Sequence, residues 1–228
     1  MFEFLFLDLD DTILDFHKAE HIALSKTLEQ FGLTPTEAVL SRYSRINKDH
    51  WERLERGELT RAQVLSGRFL VLFQEMGYQV DPEQVARTYE KNLSVGHYFL
   101  PGAEAAVDAL SKKYRLFLAS NGTASVQKGR MTSANLYRFF EKVFVSQEIG
   151  HNKPAKEYFD ACFAQIPGFD KSKAIIVGDS LTSDILGGIN AGIATCWVNP
   201  GKKPCPAHIK PDYEIGYLYQ LEELLEKL

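Results

Sequence analysis

Cysteine is scarce in this chain, three among 228 residues, and so odd and sparse a set of thiols does not build the disulfide framework of a small secreted domain. Cys205 and His208 stand close enough to suggest half of a zinc site, but no second ligand pair occurs at metal spacing, so zinc is not expected. Basic residues are not in excess: 26 lysines and arginines against 30 acids leave a net charge of −4, with no footprint for a nucleic-acid polymer. No apolar run approaches the roughly 20 residues that span a bilayer, and no basic-then-apolar leader opens the chain, so a cytoplasmic protein without a membrane partner is expected. Gly-Lys-Ser/Thr phosphate loops are missing, and the glycines from Gly187 to Gly192 do not reproduce a dinucleotide fingerprint. ATP-dependent and NAD-dependent chemistry both lose support.

What is present is a globular composition, 45% hydrophobic and 25% charged, in a length that suits one sizeable core or a core with a smaller companion. Phe4 to Leu7 is an apolar run that reads as a buried strand, and it ends in carboxylates at Asp8 and Asp10. Burying an unpaired carboxylate is costly unless a cation or strong donors compensate it, so the pair points to chemistry. By itself Asp-Leu-Asp is equally a solvated turn. Three further strand ends change the balance. Ser120-Asn121-Gly122 follows the run 115–119, Lys153 lies a short loop beyond 143–145, and Gly178-Asp179, with Asp184, follows 174–177. Each is ordinary alone, but in an open parallel sheet all four fall on the edge where the carboxyl ends of strands line a ligand crevice.

The apolar runs near 115–119, 142–145, 174–178 and 194–198 are separated by helix-length segments, which predicts βαβ crossovers and an α/β fold, a doubly wound parallel sheet. From 16 to 95 no strand-like run occurs, and apolar residues recur at helical spacing instead. Val39, Tyr43, Ile46, His50, Trp51 and Leu54 form one stripe. Ala62, Leu65, Phe69, Leu72, Phe73 and Met76 form another, and Val85, Tyr89 and Leu93 a third. Gly57 interrupts the pattern, Thr60 reads as an N-cap, Asp81-Pro82 as an N-cap with its first helical residue, and Pro101-Gly102 as the return to the sheet. The expected organisation is a core of residues 1–15 plus 97–228 with a helical cap domain inserted at 16–96.

Asp8-Leu9-Asp10-Asp11-Thr12, Ser120, Lys153 and Gly178-Asp179 with Asp184, in that order and with a helical insert after the first, resemble the four motifs of the haloacid dehalogenase superfamily of phosphohydrolases. The segment 179–197 and the stretch Ile46-Asn47-Lys48 to Trp51, ending in Gly57-Glu58-Leu59-Thr60, are similar to bacterial pyrimidine 5′-nucleotidases that remove unwanted nucleoside monophosphates. The resemblance implies a Rossmann-like core under a mobile cap and a Mg²⁺-dependent phosphomonoester hydrolase working through an aspartyl phosphate. Asp8 would then be the nucleophile and Asp10 the acid that protonates the leaving alkoxide and later takes a proton from water. Ser120, with the amides of Asn121 and Gly122, and Lys153 would receive the phosphate oxygens. Mg²⁺ would be held by Asp8, the backbone carbonyl of Asp10 and Asp179, with Asp184 ordering a bound water or Lys153.

Asp11 reads as a turn or helix-start residue, and Thr12 as a brace of the loop by hydrogen bonding. For the substrate's organic part, Phe16, Tyr43, His50 and Trp51 offer rings for stacking, with Asn47 and Lys48 as polar contacts. Such a stripe is also what a buried helix face looks like, and for Tyr43 and Trp51 the core reading is preferred. The expected partner is a small-molecule phosphomonoester bound by a monomer or weak homodimer. Competing readings are a phosphatase or phosphomutase for a sugar phosphate or phosphoglycolate, a 2-haloacid dehalogenase, and a non-catalytic phospho-ligand module. Dehalogenation needs neither a leaving-group proton nor a metal and would leave Asp10 and Asp179 idle. A binding module would not need every charged group, and in receiver-type signalling domains the lysine follows the acids, whereas Lys153 precedes Asp179.

Overall fold

A computed structural model describes residues 1–228. In chain order, β1 (Phe4–Leu7) is followed by helices α1 (Phe16–Gln30), α2 (Glu37–Glu55), α3 (Arg61–Met76) and α4 (Pro82–Leu93). The remainder alternates: α5 (Ala103–Ser111), β2 (Arg115–Ser120), α6 (Ala124–Ser133), β3 (Lys142–Val145), α7 (Ser146–Ile149), α8 (Lys156–Phe163) and β4 (Ala174–Gly178). After a π-helical turn at Leu181–Ile185 come α9 (Leu186–Ala191), β5 (Ala194–Val198), β6 (Tyr213–Ile215) and α10 (Leu221–Glu226). No helix is long and apolar enough to cross a membrane.

All six strands are parallel, in the order β3-β2-β1-β4-β5-β6. β1 is central because its four large apolar side chains leave no polar face for water. Phe4 pairs with Arg115 on one side and Ala174 on the other. Successive side chains point to opposite faces. Leu5, Leu7, Leu116, Leu118, Ile175 and Val177 therefore meet α5 and α10 on one face. On the other, Phe4, Phe6, Phe117, Phe144 and Ile176 meet Tyr158, Phe159 and Phe163 of α8, with the Phe6 and Phe117 ring centroids 5.2 Å apart. The sheet is thus covered on both sides by helices. Because β2 and β3 lie to one side of β1 and β4 to the other, the crevice of this topology opens at the carboxyl ends of β1 and β4.

Helices α1 to α4 build a separate apolar core around Leu24, Tyr43, Phe69, Leu72, Val85 and Tyr89, joined by Val126 of α6. Their ends are set by local chemistry. Thr60 and Gln63 form a capping box at the start of α3, Asp81 accepts from the Glu83 amide at 3.0 Å with Pro82 behind it, and Gly57 adopts φ +73° beyond α2. Two short segments tie this four-helix insert to the sheet unit: the Asp15 amide donates to the Tyr98 carbonyl at 2.7 Å, and Leu14 pairs with Phe99.

Three sequence expectations need correction. On α3 the buried set is Val64, Arg68, Phe69, Leu72 and Phe73, whereas Ala62 and Met76 are exposed. The buried face is displaced from the apolar stripe because an arginine, Arg68, occupies a core position. Trp51 is only half buried and is not part of the core; Tyr43 is fully buried in it. Thr12 does not brace its loop, because its buried hydroxyl has no hydrogen-bond partner. Two elements gave no stripe or run in the sequence. α1 buries small and polar groups such as Ala19, Glu20, Ala23 and Thr27, and β6 is an edge strand of three residues.

Candidate active site

The four strand-end motifs line one cavity of about 300 Å³ between the sheet edge and the insert. Asp8 and Asp10 reach it from the loop after β1, Ser120, Asn121 and Gly122 from the end of β2 and its loop, and Lys153 from the loop before α8. Asp179 and Asp184 reach it from the segment after β4, and Phe16, Asn47 and Lys48 border it from the insert. The candidates for phosphate and metal, together with Phe16, Asn47, Lys48 and Trp51 of the insert, are therefore brought to the same space. His50 and Tyr43 are not; His50 is buried, its Nδ1 lying 2.8 Å from the Ile46 carbonyl.

Lys153 organises the carboxylates. Its buried ammonium donates to Asp8 Oδ1 at 2.7 Å, Asp184 Oδ1 at 2.6 Å and the Ala119 carbonyl at 2.6 Å, which uses all three of its protons. Asp184 Oδ2 accepts from the Ser180 amide at 3.1 Å. Burial favours the neutral amine, but the charges of Asp184 and Asp8 outweigh it and hold Lys153 above its usual value, charged. Asp8 is pushed the other way. Burial raises its carboxyl to about 8 against the pull of Lys153, with repulsion from Asp184 and Asp10 adding to the rise. Asp179 is raised as well, by burial and then by Asp184 and Asp8.

One ammonium therefore does not balance this cluster. Asp8, Asp179 and Asp184 each offer a carboxylate oxygen, all within 4.8 Å of one another. An all-oxygen donor set with surplus negative charge fits a hard divalent cation.

Asp10 faces elsewhere. Its carboxylate accepts from Gln127 Nε2 at 2.7 Å on one oxygen and from Arg130 Nη1 on the other. Arg130 is fully buried and also donates through Nε to the Gly96 carbonyl at 2.9 Å, at the point where the chain leaves the insert. Gln127 also donates to Ser120 Oγ at 2.8 Å, so a single carboxamide joins the first two motifs. A Cβ on Gly122 would overlap Gln127, and one on Gly178 would overlap the Asp184 carboxylate. Those glycines are required by close approach. The Asn121 side chain is occupied by the Lys153 backbone, accepting from its amide and donating to its carbonyl, both at 2.9 Å. Contact with a ligand falls to its main chain. Asp11, at φ 54°, accepts from the Phe16 amide at 2.9 Å and so serves the start of α1, as its turn reading anticipated.

The sequence reading missed Gln127, Arg130, Glu55 and Arg61, and it preferred the core for Trp51. Trp51 borders the cavity, and the Arg61 guanidinium lies 5.4 Å from its ring centroid. Arg61 Nη1 donates to the carbonyls of Asn121 and Gly122 at 3.0 and 3.1 Å, and Nη2 donates to Ser146 Oγ and Asn152 Oδ1 at 2.7 and 2.8 Å. Glu55 accepts from Thr182 Oγ1 at 2.9 Å, and burial raises its carboxyl to about 7. The only legible signal was polar residues recurring on otherwise apolar helix faces, as with Gln127 and Arg130 among Val126 and Met131.

A doubly wound parallel sheet with an acidic, lysine-bridged pocket at its carboxyl edge defines a Rossmann-like hydrolase, and comparison with known proteins narrows the class. The family described as haloacid dehalogenase-like hydrolase matches residues 5–198. The chain belongs to that family. It is 39% identical to the putative HAD-hydrolase YfnB of Bacillus subtilis over 97% of this chain and 94% of the relative. It is 36% identical to the pyrimidine 5′-nucleotidase PynA of Streptococcus pneumoniae (100% and 95% covered) and 31% identical to the pyrimidine 5′-nucleotidase YjjG of Escherichia coli (99% and 98%). The crystal structure of YfnB bound to magnesium, which reveals interdomain movement in that protein, superposes with a TM-score of 0.94 over 98% of each chain. The L-2-haloacid dehalogenase of Xanthobacter autotrophicus, 15% identical with a TM-score of 0.80 over all of each chain, shares the fold.

Proposed function

We propose that this chain is a Mg²⁺-dependent phosphomonoesterase that hydrolyses pyrimidine nucleoside 5′-monophosphates through an aspartyl phosphate on Asp8, beneath a cap formed by residues 16–96. The observation that carries the reading is the Lys153 ammonium bridging Asp8 and Asp184 beside Asp179, in a cavity whose opposite wall is aromatic and polar. The two nucleotidases similar along the whole chain support the substrate class.

Asp8, Asp179, Asp184 and the backbone carbonyl of Asp10 would hold Mg²⁺, which when bound supplies the positive charge that lets these groups and a phosphate dianion share one space. The chain's own residues do the rest. An Asp8 oxygen forms the bond to phosphorus as the ester oxygen departs, and Asp10 gives that oxygen a proton. Asp10 then takes a proton from the water that attacks phosphorus and releases Asp8. Lys153 holds Asp8 in orientation, and the Ser120 hydroxyl with the main-chain amides of Asn121 and Gly122 receives charge on the transferring oxygens. Lys48, exposed and 3.8 Å from Glu52, stands at the rim as a contact for the substrate, and Phe16 and Asn47 lie deeper.

A screen of purified protein with Mg²⁺ against uridine, cytidine and adenosine 5′-monophosphates, hexose phosphates, phosphoglycolate and 2-chloropropionate tests this. Phosphate release from the pyrimidine nucleotides, lost in EDTA, is expected. Turnover of chloropropionate or exclusive turnover of a sugar phosphate would replace the reading.

A further inference from the structure

On the insert side of the cavity three buried polar side chains form a chain. Arg68 Nη1 donates to Asn47 Oδ1 at 2.7 Å, and Asn47 Nδ2 donates to Glu20 Oε1 at 2.7 Å. Exposures of 2%, 3% and 4% for Arg68, Asn47 and Glu20 show how little water reaches them. Buried polar groups are costly unless satisfied, yet this array, whose residues line the cavity, leaves valences unfilled. Arg68 uses Nη1 and Nε, the latter on the Leu65 carbonyl at 3.3 Å, while Nη2 has no partner in the protein. Glu90, on α4 and bordering the same space, has a buried Oε1 with no donor. Arg68 and Glu90 do not pair with one another. A donor and an acceptor therefore stand apart on one wall, each lacking its complement.

The charge of this wall selects against a second anion. Among the insert residues bordering the cavity, four carboxylates (Glu20, Glu52, Glu55 and Glu90) face two cations, Lys48 and Arg68. Arg68 is moreover matched by Glu20 through Asn47 and lies 5.1 Å from the Tyr89 ring centroid and 5.5 Å from that of Phe69. Phe16 and Trp51 border the same space. The part of the substrate remote from phosphorus must accordingly be uncharged, flat, and equipped with an acceptor beside a donor.

We infer that Arg68, Asn47 and Glu90 form a subsite that reads a uracil-type ring, in preference to cytosine, through its adjacent carbonyl and N–H groups, Arg68 and Asn47 giving hydrogen bonds to the carbonyl and Glu90 accepting from the N–H. The inference rests on the nucleotidase reading and adds which edge of the base is recognised. Glu20 is a positioning residue, orienting the Asn47 carboxamide so that its oxygen holds Arg68.

The test compares uridine 5′-monophosphate with 3-methyluridine 5′-monophosphate and ribose 5-phosphate on the wild-type protein, and then on Arg68→Lys, with p-nitrophenyl phosphate as a substrate that does not reach the subsite. Replacing the ring N–H by a methyl, or removing the ring, is expected to lower kcat/KM by about tenfold or more, because buried polar groups lose their partners. Arg68→Lys is expected to raise KM for the uridine nucleotide by about tenfold while aryl phosphate hydrolysis stays within about twofold. Equal use of the methylated and unmethylated nucleotides overturns the inference and leaves the nucleotidase reading standing, and it needs no variant to fold. Parallel loss of both activities in Arg68→Lys also overturns it. Hydrolysis of aryl phosphate with no nucleotide turned over overturns both.

Discussion

The guanidinium of Arg61 donates to the carbonyl oxygen of Asn121 at 3.0 Å, so a helix of the insert grips the backbone of the loop that follows β2. Three more hydrogen bonds from the same group reach Gly122, Ser146 and Asn152, and all four acceptors are uncharged. With no carboxylate paired to it, Arg61 makes all four of its hydrogen bonds to the sheet unit. Its grip on the Asn121 carbonyl fixes the peptide plane that carries the Gly122 amide, one of the two proposed to receive the phosphate. Arg61→Ala is expected to lower kcat/KM by about 10 to 100-fold for aryl and nucleotide phosphates alike, as for a small misplacement of reacting groups. Hydrogen exchange at residues 121–123 should quicken. A loss confined to nucleotides would show that Arg61 acts on the base and not on the loop.

Asp8 gives a prediction in which activity and stability separate. Asp8→Asn should abolish turnover; more than about a hundredth of the wild-type rate would contradict a covalent role. Stability should move the other way. The folded state holds the Asp8 proton up to about 8, against an ordinary 3.8, so between these values folding binds a proton and stability falls as pH rises. In EDTA the melting temperature is expected to decline through that window, and Asp8→Asn should flatten the decline. Added Mg²⁺, binding the ionised form, should restore the melting temperature near pH 8 in the wild type and less in the variant. A wild-type Tm unaffected by Mg²⁺ would remove the metal assignment.

Lys153→Met leaves Asp8, Asp184 and the Ala119 carbonyl without the donor they share. Removing one member of a buried charged group destabilises by about 3 to 5 kcal/mol, because the remaining charges stay buried and unpaired. The variant is expected to melt at lower temperature in EDTA, with part of the loss recovered by Mg²⁺, and to lose at least about a thousandfold in kcat through the disordered nucleophile. Calorimetry with and without metal checks the first, and steady-state kinetics the second. An unchanged Tm would mean that the ammonium is not what holds the acids together.

The parts of this site that could be read from the sequence are those where a local pattern changes abruptly. Phe4 to Leu7 is a run that can only be buried, so the acids after it stand out, and the same holds for Ser120 and Asp179 at the ends of β2 and β4. Arg68 and Arg130 could not be read that way. Each is an arginine at a helical position, which in sequence looks like a solvated face, and only the packing of Tyr43 and Tyr89 around one and of Gly96 and Asp10 around the other shows them to be buried. α1 was obscure for a related reason. Its inner face carries Glu20 and Thr27, whose partners Asn47 and Asn92 lie on α2 and α4.

Arg130 supplies the remaining prediction. It joins Asp10, the proposed proton donor, to the Gly96 carbonyl at the exit from the insert, and its Nη2 is buried with no partner. Asp10 is thereby positioned relative to the insert as well as to the sheet. Arg130→Lys keeps a positive charge but presents one point donor where a planar fork spanned two acceptors. In that variant Asp10 or Gly96 must go unserved, so the carboxylate is no longer fixed beside the leaving oxygen. The expected result is a kcat about 10 to 100-fold lower with KM changed less than about threefold, since the proposed phosphate contacts of Ser120 and the Asn121 and Gly122 amides are untouched. Substrates with good leaving groups, such as p-nitrophenyl phosphate, should suffer least, because their oxygen needs no proton to depart. If aryl and alkyl phosphates slow to the same degree, Arg130 supports the fold around Asp10 and has no part in aiming its proton.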